Sequence, residues 1–328
     1  MKNHKYIVAL LIVCAVCFTH LQSIAQKPVA KNGWLQVKNG QVVNQHGKAP
    51  QLRGISMSWS IWEGQKYYNS NVVNWLCTDF KATIIRASMA IEHEGGYLQD
   101  SVKQVKLIST IIDQCIKNGV YVLIDWHDHN AHQHLGQAKR FFATMAQKYK
   151  GVPNVIYEIW NEPEDISWLV IKKYANEVIP VIRKYDSKNL IIVGSPRWDQ
   201  DVNIAALDPI KDYNNIAYSF HFYASDPYHQ ENLRAKADKA IKARLPLFVT
   251  EWGVGESNGD GVFDKAKTEA WLKWLEYNQL SWADWNLTDK AETTGILIGG
   301  ANVNGNWKPA ELSPAGAYIR DKLRLYNK

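Results

Sequence analysis

The chain has 328 residues, of which 46% are apolar, 21% charged and 12% aromatic, a balance that excludes a disordered or collagen-like polypeptide. Its formal net charge is +6 with both signs interspersed. No Lys/Arg-rich run could track a phosphate backbone, so nucleic acid is not an expected partner.

Residues 1–25 read as a cleaved export signal. Lys2, His4 and Lys5 precede an apolar run over 6–18, and Ser23-Ile24-Ala25 supplies small residues before Gln26. The run is too short for a spanning helix, which needs about 20 residues. Cys14 follows Val13, which argues against a lipid anchor there. The expectation is a secreted or periplasmic catalytic domain over 26–328, a monomer with no membrane contact after signal cleavage. Cys77 and Cys115 then remain, both in helix-like segments, and the sequence leaves a bridge between them open.

Asn39-Gly40, flanked by 34–38 and 41–44, predicts a short hairpin placed to cover one end of the fold. Eight apolar, strand-like runs follow, at 52–56, 82–87, 120–126, 154–160, 190–194, 216–222, 246–251 and 280–285. Between them lie segments with helical spacing, such as Val105-Ile108-Ile111-Ile112-Cys115, and Asn118-Gly119 marks a helix stop. A glycine- and asparagine-rich loop over 295–308 precedes a final helix over 312–325. Eight alternating β/α repeats with nearly continuous apolar strands predict an α/β fold, a single-domain (β/α)8 TIM barrel with a short N-terminal β-hairpin.

In such a barrel the active site is built at the C-terminal ends of the strands. Those ends carry Arg86, Trp126-His127, Asn161-Glu162, His221, Tyr223, Glu251 and Trp285. A barrel needing only stability would not gather charge and imidazole at one mouth. Glu162 and Glu251 end the fourth and seventh runs, across the barrel from one another. Two facing carboxylates are the apparatus of glycoside hydrolysis, one protonated to release the leaving oxygen and one ionised to attack the sugar or activate water. Repulsion across about 5 Å is expected to push the two titrations apart, so that the pair shares one proton. Asn161 can bond a sugar hydroxyl, and Arg86 and Tyr223 can keep the opposing carboxylate ionised. This gives Glu162 as acid/base and Glu251 as nucleophile. Glu158 reads as a buried polar partner, Asp125 as a residue that orients His127, and Glu164 and Asp165 as helix-start acids.

The segments Ile84-Ile85-Arg86-Ala87, Ile124-Asp125-Trp126-His127, Ile159-Trp160-Asn161-Glu162-Pro163, His221-Phe222-Tyr223, Val249-Thr250-Glu251-Trp252-Gly253 and Trp285-Asn286-Leu287-Thr288-Asp289-Lys290 resemble glycoside hydrolase family 5, in its cellulase A (endo-β-1,4-glucanase) subfamily. The resemblance implies a retaining double displacement by Glu162 and Glu251, acting on internal β-1,4-glucosidic bonds of cellulose or related β-glucans. It implies that Arg86, His127, Asn161, His221, Tyr223 and Trp285 surround the sugar at the cleavage point, and that Lys290 and Glu292 bind the next sugar on the non-reducing side. Ser56-Met57-Ser58-Trp59 departs from the histidine-bearing turn of many relatives, and Trp59 is expected to offer a stacking face instead. No cofactor is implied.

A pyranose packs its C–H face on aromatic rings, and Trp59, Trp62, Trp198, Trp252, Trp285 and Trp307 fall near predicted strand ends or loops. Trp160, Trp252, Trp271 and Trp274 read equally well as core. Within the same fold and mechanism, β-mannanase, xyloglucanase and mixed-linkage glucanase activities are alternatives. Two other classes compete. A metal-dependent barrel hydrolase would use the crowded His127, His129, His132 and His134, but the first strand offers no histidine to complete such a site. A non-catalytic oligosaccharide-binding barrel would have no need of opposed glutamates. No second module is evident in the sequence, which predicts poor capture of crystalline cellulose.

Overall fold

The computed structural model describes residues 26–328; the signal reading of 1–25 lies outside the described residues. After a short helix α1 (Pro28–Asn32), strands β1 (Gln36–Lys38) and β2 (Gln41–Val43) form the expected antiparallel hairpin. Its turn residues Asn39 and Gly40 both have positive φ, 53° and 79°, which lets the turn match the twist of the strands.

Eight parallel strands then close a barrel: β3 (Arg53–Met57), β4 (Ile84–Ala90), β5 (Tyr121–His127), β6 (Val155–Glu158), β7 (Ile191–Val193), β8 (Ile216–Tyr223), β9 (Leu247–Gly253) and β10 (Trp282–Leu287), with β10 pairing back onto β3. The helices α2 (Ser70–Thr78), α3 (Ser101–Asn118), α4 (Leu135–Lys148) and α5 (Trp168–Arg183) follow the first four strands. Two short segments stand after β7, the turn α6 (Pro196–Asp199), left-handed over its last three residues, and the one-turn helix α7 (Val202–Ala205), and α8 (Glu231–Lys242), α9 (Lys265–Tyr277) and α10 (Pro314–Tyr326) complete the ring. Gly119, at φ 69°, ends α3 where the sequence signals a stop. No described helix is long and apolar enough to cross a membrane. Cys77 and Cys115 are free, and burial pushes the Cys77 thiol up to about 12.

Two apolar regions hold the barrel. The larger lies between strands and helices, and the smaller fills the lower interior, where Ile84, Leu123, Ile156 and Phe248 pack with Leu35 and Val42 of the hairpin segment. The hairpin therefore plugs the lower end. Packing is tightest where β3 meets β4: a Cβ on Gly54 would lie 1.7 Å from the carbonyl oxygen of Ile84. Gly54→Ala is expected to cost about 1–3 kcal/mol through forced strand separation, read as a lowered melting temperature; an unchanged melting temperature would show that the barrel yields freely there.

Candidate active site

Strand parity carries the polar side chains to one place. In β4, Ile85, Ala87 and Met89 join the outer core, while Ile84 faces the lower interior with Arg86 two residues above it. The same alternation puts Asp125 and His127 above Leu123, Glu158 above Ile156, and Ser219, His221 and Tyr223 above Ala217. Strand β9 breaks the alternation usefully. Between β8 and β9, Ser219 pairs with Phe248 but His221 pairs with Glu251, so β9 carries one extra residue. The irregularity lets two consecutive side chains, Thr250 and Glu251, both reach site residues.

Arg86 is wholly buried in mid-strand, below the mouth where the sequence reading puts it. Its Nε donates to Glu158 at 2.8 Å, one Nη donates to Glu251 at 2.7 Å, and the other donates to Asn161 and lies 3.0 Å from Asp125. Burial opposes the guanidinium charge, yet the three carboxylates around it raise its pKa. Burial also pushes Asp125 up to about 6 and raises Glu158, while Arg86 pulls both back. Tyr223 donates its hydroxyl to Glu251 at 2.7 Å, so both Glu251 oxygens are held. Asp125 accepts from Nδ1 of His127 at 2.7 Å. Burial, with Arg86 nearby, lowers the His127 pKa well below the ordinary range, so that ring is neutral. Its face stacks parallel to Trp285 at 5.2 Å, and the ring of Trp59 meets it edge-on at 4.1 Å.

Glu162 stands in the loop after β6, in different company. Nδ1 of His221 donates to it at 2.8 Å, and Nε2 of His129 lies 3.5 Å away. Burial alone would raise its pKa; the two imidazoles overcome that and hold it well below the usual carboxylate range. Burial works against the charge of His221 too, but Asp199, Glu162 and Glu251 push its pKa up to about 9. The expectation that the two glutamates share one proton therefore needs correcting: the partner that shares a proton with Glu162 is His221. Oxygens of Glu162 and Glu251 still lie within 4.8 Å of each other.

The four crowded histidines separate. His127 and His129 face the glutamates, His132 stacks on Trp160 at 5.3 Å, and His134 bonds Asp128 at 2.9 Å. Their imidazoles do not converge as one ligand set. The tryptophans divide as well. Trp252 is buried against Phe222, and Trp307 is buried against Tyr67 and Phe80, so both serve packing. Trp59, Trp62, Trp285, Lys290 and Glu292 line one side of the cleft, with Lys290 paired to Glu292 at 2.6 Å. Trp198 and Tyr228 line the other side, and Glu162 and Tyr223 belong to both.

Sequence reasoning missed Asp199 and Thr250 and took His129 only as a possible metal ligand. Asp199 ends a left-handed stretch in which Arg197, Trp198 and Asp199 have φ of 58°, 53° and 59°. Such a conformation costs roughly 1–2 kcal/mol per residue in side chain–bearing positions. Two backbone bonds pay it back in position, from Arg197 to the carbonyl of Glu164 and from Trp198 to that of Pro163. Gly194 permits the docking, since a Cβ there would stand 2.8 Å from the Pro163 ring. No local sequence signal announces such a turn.

A cleft walled by indole rings, with two acids of unlike surroundings at its floor, is built to grip a sugar chain and break one acetal bond. The fold and the site together define a barrel glycoside hydrolase. Comparison with known proteins makes this specific. The family described as Cellulase (glycosyl hydrolase family 5) matches residues 43–291. Endoglucanase Z of Dickeya dadantii is 41% identical over 298 residues, covering 89% of this chain and 68% of that protein. A solved structure from Cytophaga hutchinsonii superposes with a TM-score of 0.89 at 41% identity, covering 92% of this chain and 98% of that one. The catalytic domain of Thermobifida fusca endoglucanase Cel5A, solved as a variant with cellotetraose, superposes with a TM-score of 0.85 at 33% identity, covering 91% and 100%. The chain spans 57% to 72% of the length of three similar curated endoglucanases. It belongs to glycosyl hydrolase family 5 and is a glycoside hydrolase of the endoglucanase kind.

Proposed function

We propose that the protein cleaves internal β-1,4-glucosidic bonds by a retaining double displacement, with Glu251 as nucleophile and Glu162 as acid/base. The observation that carries the reading is the pair of glutamate oxygens within 4.8 Å. Retaining enzymes hold their carboxyls about 5–5.5 Å apart, whereas inverting ones leave about 6.5–9.5 Å for a water. The surroundings divide the labour. Arg86 and Tyr223 donate to the two oxygens of Glu251 and so fix the carboxyl group in place for attack on the anomeric carbon. Glu162 bonds a proton-bearing imidazole that can resupply it. In the first step Glu251 forms a bond to the anomeric carbon as the glycosidic C–O bond breaks, and the leaving oxygen takes a proton from Glu162, which draws one from Nδ1 of His221. In the second step Glu162 takes a proton from water and returns it to His221, the water oxygen bonds the anomeric carbon, and Glu251 leaves.

Trp59, Trp62, Trp285, Lys290 and Glu292 supply stacking and polar contacts on the glycone side, with Arg86, His127, Asn161, His221 and Tyr223 around the reacting sugar. Trp198 and Tyr228 receive the leaving chain. A groove with contacts on both sides of the acids suits internal bonds. The cellotetraose bound by the Thermobifida fusca variant supports a β-1,4-glucan chain as substrate. We further propose that the domain acts outside the cytoplasm as a monomer after loss of 1–25. Proton NMR of a cello-oligosaccharide digest tests the chemistry: the β-anomer is expected first, with the α-anomer appearing only by mutarotation. An α product at the outset would sink retention and with it the covalent role of Glu251.

A further inference from the structure

The carboxylate behind His221 has no role in the chemistry so far. Asp199 is completely buried, and one of its oxygens accepts from the backbone N–H of Ser195. The other oxygen has no hydrogen-bond partner and faces Nε2 of His221 at 3.5 Å. An unpaired buried carboxylate oxygen is costly and calls for an explanation. The left-handed turn that carries Asp199 is fastened to the loop holding Glu162 by its bonds to Pro163 and Glu164. Acid loop, imidazole and buried carboxylate thus form one mechanical unit.

We infer that Asp199 is a positioning residue for the acid/base: it holds His221 as a doubly protonated ring with Nδ1–H aimed at Glu162, and so sets the upper pH limit of the reaction. The inference rests on the acid/base assignment of Glu162 above. Nε2 of His221 lies 2.7 Å from Thr250 Oγ1, whose hydroxyl is bonded to Ser219. If Nε2 donates to Thr250, the Thr250 proton passes on to Ser219, and both ring nitrogens carry hydrogen. The positive ring then needs a counter-charge on its far side. Asp199 is the nearest carboxylate to Nε2. Glu158 of β6 lies at 3.9 Å and is committed to Arg86 of β4. Asp125 of β5 is likewise held by Arg86, Glu251 of β9 is held by Arg86 and Tyr223, and Glu162 is the ring's partner on the other side. Burial pushes the pKa of Asp199 well above the usual carboxylate range and the charge of His221 opposes that shift, so the ionised form of Asp199 depends on the charged ring beside it. With this pair intact, the proton that Glu162 needs stays available on the alkaline side of neutrality.

The test uses the exported chain, its Asp199→Asn variant, and two readouts. The first follows the ring protons of selectively labelled His221 by NMR. In the parent the ring is expected to stay doubly protonated at pH 7.5; in Asp199→Asn its titration should fall by about one to three pH units, the effect of removing an opposite charge within a few ångströms. The second is the pH profile of kcat/KM on cello-oligosaccharides, whose basic limb should fall in parallel, so that the loss of rate is smaller near pH 5.5 than near pH 8. A role in packing alone would lower the rate equally at every pH. A neutral His221 in the parent at pH 7.5 overturns the proposal without any variant, should Asp199→Asn fail to fold; so does an unmoved titration in the variant. A His221 titration that falls while the basic limb stays put would uphold the Asp199–His221 pair and count instead against Glu162 as the acid.

Discussion

Glu251→Ala should reduce kcat on cello-oligosaccharides by about 10^4 or more while leaving their affinity largely intact and the melting temperature no lower. Each part follows from where the side chain sits. Turnover is lost because no other carboxylate reaches the space that Glu251 fills; Glu158 and Asp125 are turned to Arg86 from below. Affinity persists because the stacking faces of Trp59, Trp62 and Trp285 are untouched. Stability persists because Arg86 keeps two carboxylates after losing the third, and burying three acids against one cation is itself unfavourable. The vacated space also allows a sharper check. With an aryl β-cellobioside, whose leaving group needs no acid, azide can enter where the carboxylate stood and attack the anomeric carbon from the same face, giving an α-glycosyl azide. The corresponding Glu162→Ala variant should give the β-azide instead, since its glycosyl-enzyme still forms on Glu251. A Glu251→Ala variant that hydrolyses at the parent rate, or the reversed pattern of azides, would exchange or remove the two roles.

Much of this site could be read before the fold was known, because the barrel imposes two simple rules on the chain. Alternation sends every second residue inward, and the functional mouth is at the strand C-termini. Once Ile84, Leu123 and Ile156 are taken as interior, counting by twos reaches Arg86, Asp125, His127 and Glu158 without further information. The count fails at β9, where the irregular pairing with β8 brings Thr250 into the site beside Glu251. A bulge leaves no mark in composition, so Thr250 was invisible. Asp199 was invisible for a related reason: its position depends on three left-handed residues, none of them glycine, and on the docking of their turn against another loop. Side-chain partners were also beyond the sequence. It offered Glu251 as the group sharing a proton with Glu162, whereas a ring nitrogen at 2.8 Å outcompetes a carboxylate held by Arg86 and Tyr223. Indole burial followed long-range packing, so Trp307 and Trp252 could not be told from Trp59 by position alone.

The largest effect on both folding and activity is expected at Arg86. Arg86→Met is near in volume and removes the guanidinium that Asp125, Glu158 and Glu251 share. Breaking a buried ion pair from one side costs about 3–5 kcal/mol, because the abandoned charge remains buried. Here the abandoned acids can escape by taking up protons, which gives the loss a definite pH dependence. Asp125 titrates at about 6 even with Arg86 present, above its ordinary value, so the stability it offers is present at low pH and declines as pH rises through its folded pKa. Arg86 lowers the pKa of Asp125 and Glu158, so its removal moves both folded values higher and brings the decline into the neutral range. The melting-temperature deficit of Arg86→Met should therefore be small near pH 5 and grow toward pH 8. Arg86→Lys keeps the charge but cannot span Glu158, Asn161 and Glu251 together, since an ammonium lacks the planar fork. It should recover most of the stability while kcat/KM stays down by about 10^2, the scale of misplacing a reacting group by an ångström. A deficit in Arg86→Met that is equal at pH 5 and pH 8 would mean that Asp125 and Glu158 take up no protons when the guanidinium is lost, and would overturn this account of the buried cluster.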